Sequence, residues 1–426
     1  MNKTKNDHAW IKLFETYDLL NEIDKNGFTM ISSQAINTVR ESRLMTKFDC
    51  SAQSPAIFKQ HNLGILPITR GSYLIGRFNI FSPIKDEVSK IESIVNPNSL
   101  ESISIDDISS EASAINFAYV SGIFSNFLED GQILPTVSGR MSSKSFSFNV
   151  KSSVEELRSY AVDVSAAQIE IDGGYEGEEC LALIEAKNYI SDDFLIRQLY
   201  YPYRLWNRKI SKKVRPIFLT YSNGIFDIKE YAFEFEEEYN SVKMIKQKRY
   251  MVGENSLNTE DLSNILQASY IVEEPKIPFP QADSFDRVIN FCELLFSKES
   301  SFSKEEILEE YDFVPRQANY YANAAIYLGL VSRDAGQYIL TREGVRIFSM
   351  PILNRQKELI KLIVEHKAFR KTLIAYLSSG NKPNKSQIIQ IMKESDLYNI
   401  GSDSTFERRA STISSWIEWI VSRVVE

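Results

Sequence analysis

The chain of 426 residues carries a formal net charge of −8, with 43% hydrophobic and 25% charged residues. This length predicts two to four domains of roughly 100–200 residues each, and the composition is ordinary for a soluble globular protein. The negative charge disfavours a protein that coats nucleic acid by bulk attraction, but it does not exclude local basic patches.

The few cysteines and histidines disfavour several kinds of site. Cys50, Cys180 and Cys292 are far apart and odd in number, which argues against a disulfide scaffold or a zinc finger. Only three histidines are present, so we expect neither a histidine metal site nor a catalytic triad. The N-terminus is charged where a signal peptide needs an apolar run, and no stretch approaches eighteen apolar residues. We therefore expect a cytoplasmic protein without a membrane anchor.

The first 110 residues mix helical and strand patterns. Apolar residues have helical spacing in HAWIKLFETYDLLNEI, whereas they alternate in GILPITRGSYLIGRFNIF, which predicts short strands. Arg40, Arg43 and Lys47 lie among Gln and Asn residues, and such side chains read base edges in a DNA groove. Residues 1–110 are therefore a candidate DNA-recognition region, and its polar, acidic end at 96–113 reads as a surface loop.

Residues 111–272 predict an α/β core. The stretch SVEELRSYAVDV reads as a helix and is followed by two strands, QIEID and CLALIEAK. A second helix is predicted in DDFLIRQLYYPYRLW, and two further strands meet at Ser222-Asn223-Gly224. This order of helices and strands predicts a mixed sheet.

The first strand pair of this core carries charges where apolar side chains are expected. Glu170 and Asp172 share one face of the first strand, and Glu185 and Lys187 point together on the second. If the glycine-rich turn pairs the strands, Asp172 and Glu185 converge with Lys187 beside them. Two close carboxylates repel, and a hard cation such as Mg²⁺ relieves that repulsion. An ammonium beside a metal-bound water suits phosphodiester hydrolysis.

Asp172, followed by Glu185-Ala186-Lys187 at the end of an apolar strand, resembles the PD-(D/E)xK nuclease superfamily, and the whole chain resembles type II restriction endonucleases. The resemblance implies that Asp172, Glu185 and the carbonyl of Ala186 bind Mg²⁺ and that Lys187 is catalytic. The sequence departs from the family pattern at Ile171, where a proline often stands. The resemblance also implies double-stranded DNA as substrate and a cognate DNA methyltransferase in the same restriction-modification system. A homodimer is expected because each chain has one site and a duplex has two strands.

The remaining members of the site are open at this point. Glu170 is a candidate second ligand or hydrogen-bond partner, and Glu155 or Glu156 on the predicted preceding helix are alternatives. Gln198 and Arg197 lie on the helix that borders the site in this superfamily, so either is a candidate contact for the scissile phosphate. The alternative interpretation is a solvated edge hairpin without a catalytic role.

A basic stretch follows the predicted site. Between Phe194 and Phe226 the sequence has seven Lys and Arg residues and no acid. We predict that Arg197, Arg204 and Arg208 contact DNA phosphates. The alternative is a solubilising surface.

A proline-rich linker at residues 273–282 precedes the C-terminal region, because Pro275, Pro278 and Pro280 forbid both helix and central strand. In residues 283–350, Ser303 and Glu306 form a capping box, and Pro315 opens a second helix. A two-stranded wing and a helix capped by Thr341 complete the pattern, which resembles winged-helix domains. The side chains predicted to enter the major groove are Arg316, Gln317, Asn319, Tyr320 and Asn323.

Residues 351–426 are predicted to form a second, winged-helix-like helical domain. The fold class is therefore α/β, a mixed-sheet PD-(D/E)xK nuclease core, followed by a mostly α winged-helix region. The function predicted is a Mg²⁺-dependent, sequence-specific double-stranded DNA endonuclease. The alternatives are a non-catalytic DNA-binding regulator with tandem winged helices, and a nuclease for repair or for RNA.

Overall fold

A computed structural model describes residues 4–86, 90–97, 100–155, 157–253, 257–297, 302–303 and 315–424, without the side chains of 302–303 and 315–318. Within these ranges the chain is mixed α/β, with a mixed seven-stranded sheet and a helical C-terminal region. This confirms the predicted general architecture. Among the described helices, none combines the length and the apolar character needed to cross a membrane.

The helices and strands have the following bounds. The helices are α1 Lys5–Thr16, α2 Leu19–Asn26, α3 Ser33–Asn37, α4 Ser42–Thr46, α5 Ala56–His61, α6 Glu111–Val120, α7 Ile123–Leu128, α8 Arg197–Asn207, α9 Thr259–Ala268, α10 Phe285–Ser297, α11 Pro315–Tyr327, α12 Arg342–Phe348, α13 Ile352–Val364, α14 Lys367–Ser379, α15 Lys385–Lys393 and α16 Asp403–Ser422. The strands are β1 Phe28–Ser32, β2 Gly64–Pro67, β3 Ser72–Gly76, β4 Phe81–Pro83, β5 Ile91–Ile94, β6 Leu134–Ser142, β7 Ser145–Lys151, β8 Ser159–Ser165, β9 Gln168–Glu176, β10 Cys180–Lys187, β11 Asp193–Leu195, β12 Lys213–Ser222, β13 Ile225–Phe233, β14 Val242–Val252, β15 Phe302–Ser303, β16 Val331–Asp334 and β17 Gln337–Leu340.

The N-terminal region has a small core of its own. Helices α1 to α5 accompany a three-stranded sheet of order β1-β3-β2. Trp10, Phe14 and Phe58 pack edge to face, and the Trp10 indole donates to the carbonyl of Met45 at 2.9 Å. The predicted helices and short strands of this region are confirmed.

The central sheet has the order β5-β14-β13-β12-β10-β9-β6. Strands β10 and β12 are parallel, which requires a crossover, and α8 provides it. Helices α6 and α7 cover one face, where Phe117, Ile184 and Leu219 share a cluster, and α8 covers the other with Leu199 and Phe218. Both faces of β10 are therefore buried, which explains its nearly continuous apolar sequence.

The prediction of a helix at residues 153–164 is wrong. Residues 159–165 form strand β8, which pairs antiparallel with β7. Tyr160, Val162 and Val164 are buried while their neighbours are exposed, a period of two that belongs to a strand. Glu155 lies in the preceding loop with its carboxylate 3.0 Å from Arg158, so it belongs to no catalytic helix, and Glu156 lies outside the described residues.

The C-terminal region is helical with a small wing. Helix α11 begins at Pro315, as predicted, and β16 and β17 form the predicted hairpin. Thr341 caps α12, as predicted, by accepting from the Gly344 amide at 3.0 Å. The predicted capping box of Ser303 and Glu306 depends on residues that lie outside the described part of the chain.

The two predicted C-terminal units, 283–350 and 351–426, contribute to one hydrophobic cluster. Phe285 packs on Trp416 at 4.6 Å between ring centroids, and Phe369 stacks on Trp416 at 5.0 Å. Residues 269–284 form neither helix nor strand, yet Phe279 from this proline-rich segment stacks on Phe369 at 5.4 Å. The segment is therefore packed against the C-terminal helices.

Candidate active site

The strand pair that carries Asp172 and Glu185, β9 and β10, lies inside the central sheet. Strands β9 and β10 are antiparallel, and the last pair of their register joins Gly173 to Ile184. Just beyond it, the Ala186 amide donates to Asp172 Oδ2 at 2.9 Å, which fixes the aspartate beside β10. Glu185 therefore lies next to Asp172, at the end of the paired region.

Lys187 is the centre of the site. Its side chain is only 6% exposed, and its Nζ donates to Glu185 Oε1 at 2.7 Å. The same Nζ lies 3.4 Å from Asp49 Oδ2 and 4.0 Å from Glu111 Oε1. With Asp172 included, four carboxylates surround one ammonium, so the site has an excess of negative charge.

Two of these carboxylates, Glu111 and Asp49, were not predicted from the sequence. Glu111 is the first residue of α6, in a stretch read as a surface loop, and Ser110 caps the helix by accepting from the Ser113 amide at 3.1 Å. Asp49 follows α4 in the N-terminal region. The Ser110 cap followed by apolar residues at helical spacing is a signal that could have found Glu111.

Gln198, in the first turn of α8, completes the cluster. Its Nε2 donates to Glu185 Oε1 at 2.5 Å and to Asp49 Oδ1 at 3.2 Å. Its Oε1 is buried and has no hydrogen-bond partner among the residues that the structure describes. A buried acceptor without a donor is costly, so this oxygen is suited to a ligand or water that brings one.

The electrostatics of the site reflect the excess of acids. Burial raises the pKa of Glu185 to about 8, and the nearby charges of Asp172 and Asp49 act in the same direction. Burial also raises the pKa of Asp172 and of Glu111, against the attraction of Lys187. Burial alone lowers the pKa of Lys187, but Glu185 and Asp49 outweigh it and hold that pKa well above its usual value. These directions are typical of carboxylates that lack counter-charge.

The residues of this cluster fit a hard divalent cation. Across the described ranges, no three His, Cys, Asp or Glu side chains are already arranged to hold a metal ion, and Glu185 instead accepts from Lys187 and Gln198. The donors present are carboxylate oxygens and one amide oxygen, which Mg²⁺ prefers. The shortage of positive charge and the unpaired Gln198 Oε1 both favour such an ion.

The other predicted site residues lie further out. Glu170 is exposed, and its Oε1 lies 3.2 Å from the Arg140 guanidinium. Its charge helps to raise the pKa of Asp172, after burial, so it stands at the rim of the site. Ala186 is buried, and its carbonyl remains a predicted metal ligand.

The basic stretch after the site is largely neutralised. Arg204 is fully buried and donates to Tyr200 Oη at 2.6 Å and to the Glu236 carbonyl at 2.8 Å, so the prediction that it contacts DNA is wrong. Arg208 is partly exposed but lies 3.2 Å from the Glu236 carboxylate. Lys212 and Arg215 pair with Glu176 and Glu230. These acids lie outside the stretch in sequence, so a local count of charge could not reveal them.

Arg197, Arg43 and Lys47 remain candidates for DNA contact. Arg197 is half-buried beside Gln198, with its guanidinium 5.9 Å from the ring centroid of Tyr201. Arg43 and Lys47 are exposed, and the charge of Lys47 reaches Glu111. Arg40 is half-buried and donates to Asn6 Oδ1 at 2.7 Å, which reduces its availability to DNA.

Helix α11 presents only part of its predicted face. Its buried side includes Tyr321, Ala322, Ala325 and Leu328. The side chains of Arg316 and Gln317 lie outside the described residues. Among the other predicted contacts, Asn323 is exposed, whereas Tyr320 and Asn319 are half-buried and Asn319 Oδ1 accepts from Tyr338 at 3.4 Å.

The C-terminal region touches the loop that follows β10. The buried Asn290 of α10 donates to the Asn188 carbonyl at 3.3 Å and accepts from the Ile190 amide at 3.2 Å. Arg287 pairs with Asp192 at 2.6 Å. Helix α10 therefore fixes the loop of residues 188–192, which joins β10 to β11.

Three family models match separate parts of the chain, each described as a domain of unknown function. Residues 7–75 match DUF6996, residues 76–251 match DUF6997, and residues 287–425 match DUF7226. No curated protein and no solved structure matches the chain. The second match contains Glu111, Asp172, Glu185, Lys187 and Gln198, whereas Asp49 belongs to the first.

Proposed function

We propose that the protein is a Mg²⁺-dependent, sequence-specific double-stranded DNA endonuclease. The observation that carries the proposal is the meeting of Asp172, Glu185 and Lys187 at the end of one buried strand pair. A buried lysine beside surplus carboxylates suits phosphodiester hydrolysis, because it can orient a water and offset charge at phosphorus. The resemblance of the same three residues to the PD-(D/E)xK nucleases supports this proposal.

The roles follow from the positions of the side chains. Asp172 and Glu185, with the Ala186 carbonyl, would hold Mg²⁺, which supplies a more acidic water and stabilises charge on the phosphate. Lys187 Nζ would orient the attacking water and offset charge that develops at phosphorus. Gln198 Oε1 is available to accept a hydrogen bond from that water.

DNA would be held by side chains around this cluster. Arg197 and Lys47 are the described cations suited to flanking phosphates, and such contacts position the duplex without reading its sequence. Base reading would fall to α11 and to the N-terminal region, which carries Arg43. We also propose a homodimer and a cognate methyltransferase, which rest on the restriction-enzyme resemblance, and a cytoplasmic location, which rests on the few, widely spaced cysteines.

The test is incubation of phage and plasmid DNA with the purified protein and Mg²⁺, followed by mapping of fragment ends. The protein should give discrete fragments, and K187A and D172A should each lower the rate roughly 10²–10⁴-fold. K212A is a matched control, because Lys212 pairs with Glu176 on the same hairpin. It should cut at the unaltered rate.

Three results would contradict the proposal. Cleavage at an unchanged rate by both K187A and D172A would remove the catalytic roles of these residues. Retention of DNA in a gel shift without nicking in any divalent ion would favour the non-catalytic regulator. Stronger competition by RNA than by duplex DNA would redirect the proposal to an RNA nuclease.

A further inference from the structure

The loop that follows α4 brings a carboxylate from the N-terminal region into the candidate site. Asp49 Oδ2 lies 3.4 Å from Lys187 Nζ, and Asp49 Oδ1 accepts from Gln198 Nε2 at 3.2 Å. The Asp49 side chain is 15% exposed. One carboxylate therefore spans the two donors that flank Glu185.

Docking of this loop does not depend on the Asp49 carboxylate. The Asp49 carbonyl accepts from the Leu195 amide at 2.9 Å, and the Asp49 amide donates to Gln53 Oε1 at 2.8 Å. The Ser51 amide donates to Asp193 Oδ1 at 2.8 Å. The backbone and Asp193 thus fix the loop, and the Asp49 side chain is directed to Lys187 and Gln198.

Glu185 would have two tasks at once, to bind the metal and to accept hydrogen bonds. Its Oε1 accepts from both Lys187 Nζ and Gln198 Nε2. A metal ion on this carboxylate would occupy some of its lone pairs and withdraw electron density from the others, so a second acceptor would hold both donors more firmly. Asp49 already contacts the same two donors, with one oxygen for each.

We propose that Asp49 is a positioning residue that holds Lys187 and Gln198 while Glu185 binds the metal. The inference rests on the proposed function. It makes the N-terminal region a structural part of the active site, in addition to any role in reading DNA. It also means that residues 76–251 alone lack one member of the site.

The inference can be tested by metal binding, without measuring cleavage. Mn²⁺ affinity is measured by calorimetry for the full chain and for D49N, which keeps the backbone contacts and the size of the side chain. Loss of the Asp49 charge leaves Lys187 dependent on Glu185, so D49N should bind Mn²⁺ about tenfold more weakly, the lower end of the usual effect of residues behind metal ligands. Thermal unfolding should show D49N to be folded, and D49S serves as a second variant.

The matched control is D163N, which also converts an aspartate to asparagine, at an exposed position where the carboxylate accepts from Ser147. It should leave Mn²⁺ affinity unchanged. In a K187M background, D49N should have a smaller effect, because one of the two donors it holds is gone.

The outcomes are separable. Equal Mn²⁺ affinity of D49N and the unaltered chain would overturn the inference while leaving the proposed function intact. A full tenfold loss in the K187M background would also overturn it, since Asp49 would then act as a metal ligand. Absence of Mn²⁺ binding by the unaltered chain would overturn both proposals.

Discussion

Two of the buried clusters of charge in the central sheet differ in balance. Arg215 and Glu230 form a two-bond ion pair, at 2.9 and 2.5 Å, and Arg215 also donates to the Leu128 carbonyl at 2.7 Å. Around Lys187, one ammonium faces four carboxylates. Burial is common to both clusters, so burial does not distinguish them.

The balance of charge does distinguish them. A buried pair with matched hydrogen bonds is a structural feature, whose partners depend on each other. A buried cluster with more acids than bases lacks positive charge, which a bound cation can supply. This comparison predicts that substitutions in the two clusters damage different properties of the protein.

The largest effect on stability is expected at the balanced pair. R215M leaves Glu230 buried without its partner, so the free energy of unfolding should fall by about 3–5 kcal/mol. Urea unfolding followed by circular dichroism measures the change. DNA cleavage per folded molecule should be unaffected, and a selective loss of cleavage with normal stability would break the comparison.

A second, smaller difference is expected between two arginines of α8. R197A should weaken DNA binding and reduce the slope of log affinity against log salt by about 0.9, the value for one phosphate contact. R204M should leave that slope unchanged but lower the unfolding midpoint, because Arg204 is buried among Tyr200 and Glu236. Equal slopes for R197A and the unaltered protein would remove Arg197 from the DNA interface.

The last prediction depends on pH and concerns the cost of the surplus acids. Burial raises the pKa of Glu185 in the folded protein to about 8, whereas the usual pKa of this carboxyl is 4.5. As the pH rises above 4.5, the carboxyl ionises in the unfolded chain but stays protonated in the fold. This ionisation stabilises the unfolded state relative to the folded state. Stability contributed by the protonated carboxyl is thus lost as pH rises toward 8. In metal-free buffer, E185Q should be more stable than the unaltered protein, by a margin that grows from pH 6 to pH 8. A margin independent of pH would contradict this account of Glu185.

The members of the site that sequence reasoning found are those set by local patterns. Alternation along β9 and β10 places Asp172, Glu185 and Lys187 on one face, and Gln198 follows on the next helix. Asp49 could not be found in this way, because only the docking of the N-terminal region brings it to Lys187. The prediction that Arg204 contacts DNA was wrong for the same reason, because its partner Glu236 lies 32 positions away in the chain.

The fold was predictable from the sequence where neighbouring residues determine the local structure. The wing, the start of α11 and the turn at Asn223 and Gly224, both with positive φ, follow from local residue preferences. The sequence of β8 is predicted as a helix because Glu155 and Glu156, which precede it in the sequence, are typical of a first helical turn. The pairing with the preceding strand β7, from Ser145 with Ser165 to Lys151 with Ser159, makes this segment a strand.

The most direct test of the central claim is an anomalous difference map from crystals of the protein soaked in Mn²⁺. We expect a peak shared by the carboxylates of Asp172 and Glu185, beside Lys187, and no peak in crystals of E185Q. A well-occupied Mn²⁺ site elsewhere, with Glu185 still bound only to Lys187 and Gln198, would contradict the proposed metal-dependent nuclease.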